Sequence, residues 1–225
     1  MRRKINRPGK GMKELFAAGL FLIILGIGLL VYSLLTNYNT GKIVISAPFA
    51  LGSYEFSRSE LSEKELDIAW RLYVQLTTRK AAIPIDEDDI IIEVYNSWYE
   101  LFKSTRDYLL AMSAADLEDN ENAQRIVDLS VNVLNNGLRP HLTKWQGKYR
   151  KWYDDALKED ENKGLSPQEI QKKYPEYNEL IADMKIVNQE LVKYAEELKR
   201  FSHEKPPGVS AKISTKLSSW WNKLK

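Results

Sequence analysis

A run of 21 uncharged residues near the start of the chain, Leu15 to Leu35, constrains its folding more than any other feature. As an α-helix this run would be about 31 Å long, which matches the hydrocarbon core of a bilayer. A cleaved signal peptide is the alternative, but its apolar segment usually has roughly 7 to 15 residues and leads to a cleavage site with small residues. Here the run is closed by VYSLLTNYN instead. We therefore expect an uncleaved, single transmembrane helix over residues 15–36.

Two glycines of this helix, Gly19 and Gly26, are seven residues apart and share one helix face. Small residues on such a face let two membrane helices approach closely. One interpretation is therefore packing against a second copy, which makes a homo-oligomer an expected state. The other is that they are ordinary glycines of a membrane helix, where glycine is frequent.

The residues before the span form a basic N-terminal tail, residues 1–14. This tail carries 6 Lys and Arg residues and one acidic residue. The segment that follows the span, up to Phe56, has a single basic residue, Lys42. Positive charge is enriched on the cytoplasmic side of membrane helices. The bias therefore favours a cytoplasmic N-terminus and an extracytoplasmic position for the rest of the protein.

The other end of the chain, residues 204–225, is a second basic tail and favours the opposite orientation. Its apolar and basic residues alternate at helical spacing, which is typical of an amphipathic helix at a membrane surface. Anionic lipid is often concentrated in the cytoplasmic leaflet, so docking there would make the domain cytoplasmic. A disordered, solubilising tail is the alternative, and the orientation remains open. The residues expected at the lipid interface are Trp220, Trp221, Lys216 and Lys223.

Between these ends the sequence predicts an all-α domain. Residues 37–56 are expected to be a short extended connector, whose β-branched run ending at Pro48 is either extended chain or one edge strand, since no later segment offers it a clear partner. From residue 57 to 203, apolar residues recur at helical spacing. This pattern predicts a bundle of about four to five helices.

Local signals mark several helix boundaries in this bundle. Ser62 and Ser166 each precede a glutamate by three residues, which is the spacing of a capping box. The acidic run Asp86–Asp89 is expected to form the first turn of the next helix, where carboxylates interact favourably with the helix dipole. Gly137 and Pro140 predict a kink or a break, because proline has no amide N–H to donate.

The longest regular pattern in the chain extends from Tyr177 to Phe201. Its apolar residues are spaced alternately by three and four positions, which is the a/d rhythm of a coiled-coil seam. The seam packs either inside the bundle or against another copy, because both arrangements use the same knobs-into-holes packing. We favour packing inside the bundle.

Few residues are available for catalysis or metal binding. The chain has no cysteine and two histidines, His141 and His203. Thiolate metal sites and cysteine nucleophiles are therefore excluded, and the common hydrolase, nucleotide-binding and zinc-protease motifs are absent from the sequence. His141 follows a proline, so we interpret it as a helix cap or a surface residue. We expect no catalytic residue, no metal and no cofactor.

One segment combines basic and aromatic residues in a way that suits an anionic ligand. Such interleaving can hold a phosphate backbone and stack bases. Between residues 15 and 204, however, 22 basic and 30 acidic residues leave a net charge of −8, which disfavours a long polyanion. The alternative is that the aromatic residues are core and the lysines are a solvated face. The candidate ligand-binding residues are Arg139, Lys144, Trp145, Lys148 and Lys151.

Three segments of the chain, Ala69–Arg79, Ile90–Leu110 and Val133–Tyr153, together resemble a widespread bacterial family of small, membrane-anchored helical proteins. The stretch LRPHLTKW is the most distinctive part of the resemblance. The resemblance implies no enzymatic activity.

In plan, the chain is also similar to the membrane effector subunit of Hailong-type antiphage defence, in which DNA oligomers hold a membrane channel closed. That similarity implies oligomerisation, a cytoplasmic domain and a nucleic-acid oligomer as ligand. The residues that it points to are Arg139, Lys144, Lys148 and Lys151.

Two functional hypotheses follow. The first is a non-enzymatic, single-pass protein of the cell membrane that acts by oligomerisation and by ligand binding, as a membrane-disrupting or channel-type effector of bacterial antiphage defence. The second is a membrane-tethered scaffold or sensor that docks a partner protein. Both hypotheses require contact with membrane lipid.

Overall fold

A computed structural model describes residues 10–39 and 41–205, and the chain is mostly helical. It divides into two compact units, one containing the first helix and the other formed by Lys42–Pro206. Nearly all of the predicted basic C-terminal tail, including Trp220, Trp221, Lys216 and Lys223, lies outside the described residues.

The first helix, α1, extends over Lys10–Asn39 and is longer than the predicted span. Its large apolar side chains from Leu20 to Val31 are exposed, with between 46% and 66% of each surface accessible. Gly19 and Gly26 have open space where a side chain would be. Among the described residues, no helix offers a stretch that is long and apolar enough to cross a membrane.

The second unit begins with a β-hairpin rather than an extended connector. Strands β1 (Lys42–Ser46) and β2 (Ser53–Ser57) pair in antiparallel register. The inward side chains Ile43, Ile45 and Phe56 are buried in the core. The expectation that the first strand has no partner was therefore wrong, because the alternating residues of SYEFS supply the second strand.

The remaining elements are helical and follow one another with short connections. Helix α5 (Glu121–Asn132) continues through a π-helical segment (Val133–Leu138) into α6 (Arg139–Ala156). Two short 3₁₀ turns lie at Arg58–Glu60 and Asp160–Asn162. The helices are α2 (Glu63–Thr77), α3 (Ile91–Leu110), α4 (Ala114–Leu117), α5 (Glu121–Asn132), the π segment (Val133–Leu138), α6 (Arg139–Ala156), α7 (Pro167–Gln171) and α8 (Tyr177–Ser202).

The predicted capping boxes are confirmed, and the acidic run is not where it was expected. Ser62 and Ser166 cap α2 and α7. In each case the carboxylate of the glutamate three residues later accepts a hydrogen bond from the backbone N–H of the serine. The run Asp86–Asp89 lies in the loop before α3, and the Asp89 carboxylate is 2.7 Å from the Lys80 ammonium. That ion pair and a hydrogen bond from Gln171 to the Asp89 carbonyl hold the run outside the helix.

Helix α8 packs its apolar seam inside the second unit. One side of the seam faces α2, and at its C-terminal end the Phe201 ring lies 4.6 Å from the ring of Phe56 in the hairpin. The seam is thus occupied by this chain's own elements and not by a second copy. Its buried members are Leu180, Met184, Val187, Leu191, Tyr194, Leu198 and Phe201.

The segment with Gly137 and Pro140 is continuous and helical. The Arg139 amide donates to the Leu134 carbonyl, five residues earlier, which is the hydrogen bond of a π-helical turn. This wider turn accommodates the proline without ending the helix, so the predicted kink or break takes the form of a π segment. Gly137 is buried against the ring of Phe49 from the hairpin turn.

Candidate functional site

The structure separates the predicted basic and aromatic residues of α6 into a buried and an exposed set. Trp145 and Tyr149 are 1% and 0% exposed. The Trp145 indole N–H donates to the Asp183 carboxylate at 2.6 Å. Neither ring is available to stack on a base, because both belong to the core.

The basic residues of the same prediction lie at the surface but do not converge on one point. The Lys144 and Lys148 ammonium groups are 4.5 and 5.7 Å from the centre of the Trp145 ring, and Lys151 is paired with Asp155. Arg139 instead faces α3, where its guanidinium lies 5.2 Å from the centre of the Phe102 ring. The anionic-ligand site over these five residues stays a prediction.

A buried polar chain connects α3, α6 and α8. The Tyr95 hydroxyl lies 3.2 Å from His141 Nε2, and His141 Nδ1 lies 3.1 Å from the Asp183 carboxylate. Because ionised Asp183 can only accept, Nδ1 carries the proton and Nε2 accepts from the tyrosine. His141 is 4% exposed, so the interpretation of it as a cap or surface residue was wrong.

Burial is the main influence on the ionisation of Tyr95 and His141 in this hydrogen-bonded network. It raises the pKa of Tyr95 and lowers the pKa of His141, which favours the neutral form of both groups. Burial acts to raise the pKa of Asp183, but the hydrogen bond from Trp145 and the charges and hydrogen bonds around it lower that pKa on balance. An aspartate, a histidine and a hydroxyl in series would suit proton transfer, yet the hydroxyl of the fully buried Tyr95 cannot reach a substrate.

An open groove lies between α3 and the continuous helix of α5, the π segment and α6. Its volume is about 450 Å³. Leu110 and Val131 on its walls are 74% and 40% exposed, and two arginines, Arg106 and Arg139, stand among the apolar residues. The lining residues are Phe102, Arg106, Leu109, Leu110, Val127, Val131, Leu134, Asn135 and Arg139.

Sequence reasoning identified Arg139 but missed the groove and Arg106. The available signal was the helical spacing of Phe102, Arg106 and Leu110, which places one charge within an apolar face of α3. The groove depends on the separation between two helices, and local spacing does not reveal that separation.

A second depression, of about 240 Å³, lies between α2 and the end of α3. Its cations are neutralised by neighbouring carboxylates, because Lys64 pairs with Asp116 and Arg71 pairs with Asp67 at 2.7 Å. The two depressions therefore differ in charge, and only the larger one presents arginines without carboxylate partners among the residues that line it.

Within the described part of the chain, no cluster of three or more His, Asp or Glu side chains has the arrangement of a metal site. Comparisons with protein-family models, with curated proteins and with solved structures found no match.

Proposed function

We propose that the chain is a non-enzymatic, single-pass protein of the cell membrane whose helical domain acts by binding. One observation carries the proposal: the described apolar side chains of α1 are exposed along the helix, within a sequence that has no charge from Leu15 to Leu35. Exposed apolar surface of this extent requires lipid or another apolar surface to cover it.

The helical domain supports binding more than bond making. The groups best arranged for proton transfer, Tyr95 and His141, are enclosed in the core. The apolar groove beside α3, in contrast, is open to solvent and carries two arginines. In this proposal a ligand at the domain alters how copies of α1 pack, as a channel-type effector of bacterial antiphage defence would require.

A membrane-tethered scaffold or sensor is the second candidate. The structure of α8 favours it in one respect, because the seam that could have joined two copies is buried within a single domain. Oligomerisation in this case would use α1, where nothing lies within 4 Å of the side-chain position at Gly19 or Gly26.

Paired charge substitutions test the membrane anchor. The variant Ile24→Arg with Leu25→Arg places two charges at the middle of the span, and each arginine at the centre of a membrane helix costs about 2.5 to 3.5 kcal/mol. We expect this variant to leave the membrane fraction under alkaline carbonate extraction. The matched control, Ile186→Arg with Leu157→Arg, changes residues of similar exposure in the helical domain and should stay with the membrane.

Wild-type protein that is recovered without its first forty residues, or that is extracted by carbonate alone, would contradict the anchor. Liposomes loaded with a fluorescent dye then separate the two candidates. Leakage that depends on the purified chain supports the effector, whereas intact liposomes together with specific recovery of one partner protein support the scaffold. Reporter fusions to the C-terminus determine on which side the domain lies.

A further inference from the structure

We propose that the groove between α3 and the α5–α6 helix binds a single-chain anionic amphiphile, meaning one acyl or alkyl chain with a carboxylate or phosphate head. The inference rests on the proposed binding function and supplies a ligand class for it, but it does not depend on the membrane anchor.

The charge of the groove points to an anion. Arg106 has no hydrogen bond or ion pair with any described residue, and no carboxylate lines the groove. Arg139 uses its Nε and one terminal nitrogen to donate to Asn135 at 3.1 and 2.9 Å, which leaves its other terminal nitrogen available. Guanidinium groups offer several N–H donors in a plane and suit carboxylate and phosphate oxygens.

The apolar lining of the groove suits the hydrocarbon tail of such a ligand. On α3 the lining extends from Phe102 to Leu110, and on the other wall it extends from Val127 to Arg139. At 1.5 Å per residue these stretches are about 12 and 18 Å long. A single medium-length chain therefore has apolar contacts along both walls while its head group reaches the arginines.

The dimensions favour one chain over a protein helix. A groove of about 450 Å³ lies within the usual range for small-molecule sites. A helix with its side chains is about 10–12 Å across, so an acidic amphipathic helix would rest on the groove and not enter it. A long polyanion such as nucleic acid is also disfavoured, because only two arginines line the groove and the chain between its basic ends is acidic.

Photocrosslinking of the full-length chain tests this site. The protein is placed in nanodiscs of phosphatidylcholine, exposed to a diazirine derivative of dodecanoic acid and illuminated, and the labelled residues are located by mass spectrometry. We expect saturable labelling of α3 between Phe102 and Leu110 and of the opposite wall between Val127 and Arg139. Unlabelled dodecanoate should compete, whereas dodecanol, which has no charge, should compete at least tenfold less well.

Two variants examine the head group and the tail separately. Arg106→Gln with Arg139→Gln should reduce groove labelling about tenfold, because it removes the charge-assisted hydrogen bonds to the anion. Val131→Trp fills the groove without changing the charge and should reduce labelling to a similar extent. The matched control Lys103→Gln with Lys172→Gln removes two exposed positive charges outside the groove and should label like the wild type.

Several outcomes would overturn the proposal: labelling confined to α1, equal competition by dodecanol, or unchanged labelling in both groove variants while circular dichroism shows that they are folded. Displacement of the probe only by an acidic amphipathic peptide would also overturn it, in favour of a protein partner. Competition by phosphatidylglycerol in the nanodisc would also overturn it, because that bilayer lipid has two acyl chains and the proposed ligand has one. Groove labelling of a chain that proves extractable from membranes would support this site and reject only the anchor.

Discussion

The ring of Phe49 occupies the space that a side chain at Gly137 would require. A Cβ atom built on Gly137 would lie 2.2 Å from Cδ2 of that ring, which is far inside van der Waals contact. The Phe49 backbone is itself in the left-handed region, at φ 59°, and its N–H donates to the Glu190 carboxylate at 2.7 Å. The hairpin turn is thereby fixed against both the π segment and α8.

Gly137→Ala should therefore destabilise the protein by about 1 to 3 kcal/mol, because the added methyl forces Phe49 out of its position. Urea unfolding in detergent micelles, followed by tryptophan fluorescence, measures the change. The control is Gly147→Ala on α6, where nothing lies within 4 Å of the added atom. That variant should be neutral or more stable by up to about 1 kcal/mol, because alanine favours the helix. Equal effects at the two glycines would contradict the packing described.

Asp183→Ala should cost about 1 to 3 kcal/mol of unfolding free energy. It removes the acceptor of both the Trp145 indole and His141, and a buried donor without a partner carries the full cost of its lost hydration. The exposed Lys144 ammonium is 3.8 Å from the same carboxylate, and Lys144→Ala should cost less than about 1 kcal/mol. Urea unfolding measures both variants. A larger decrease in the free energy of unfolding for Lys144→Ala than for Asp183→Ala would contradict the role of Asp183 as the buried acceptor.

The protein should lose stability as the pH falls below 6.5, the ordinary pKa of histidine. Burial lowers the pKa of His141 in the folded state, so the unfolded chain binds more protons in the window below that value and acidification favours unfolding. His141→Gln should abolish this part of the pH dependence. The folded state also lowers the pKa of Asp183, and that contribution is lost at lower pH, below its ordinary value of 3.8. Unfolding midpoints measured from pH 7.5 to pH 4.5 therefore report the contribution of His141 without that of Asp183, which is lost only at lower pH.

Asn188→Leu should release the loop between α2 and α3. The side chain of Asn188 donates to the carbonyls of Ala81 and Ile83 at 2.7 and 3.0 Å and accepts from the Ile85 N–H at 3.3 Å. Its replacement leaves three backbone groups without partners, each at a cost of about 1 kcal/mol or more. Limited trypsin digestion should cut the variant faster after Arg79 or Lys80.

Cleavage of the Asn188→Leu variant at the wild-type rate would show that other contacts hold the loop. The exposed Glu179→Leu substitution on the same helix is the control and should leave the digestion pattern unchanged.

Signals that act within one or two helical turns were predictable from the sequence. The capping serines Ser62 and Ser166 form hydrogen bonds to residues three positions away, so their role follows from local chemistry. The seam of α8 is similar, because its regular spacing is a property of one helix. The surface that covers the seam does not follow from this spacing, because packing inside the bundle and packing against a second copy use the same pattern.

Features that depend on distant segments were missed. His141 looked like a surface residue because its partners Tyr95 and Asp183 come from α3 and α8. Asp89 lies outside a helix because it pairs with Lys80, nine residues earlier. Trp145 fits the alternative in which the aromatic residues of α6 are core, but its partner Asp183, which lies on α8, could not be named from local spacing.

The hairpin also determines when this domain can finish folding. The guanidinium of Arg200 on α8 donates to the carbonyl of Val44 on β1, 156 positions earlier. Contacts of such long range form slowly, because a large loop must close first. A nascent chain leaving the ribosome therefore carries a hairpin that is not fully covered until α8 has been synthesised, and a transcript truncated before α8 would yield a protein with part of its apolar strands exposed.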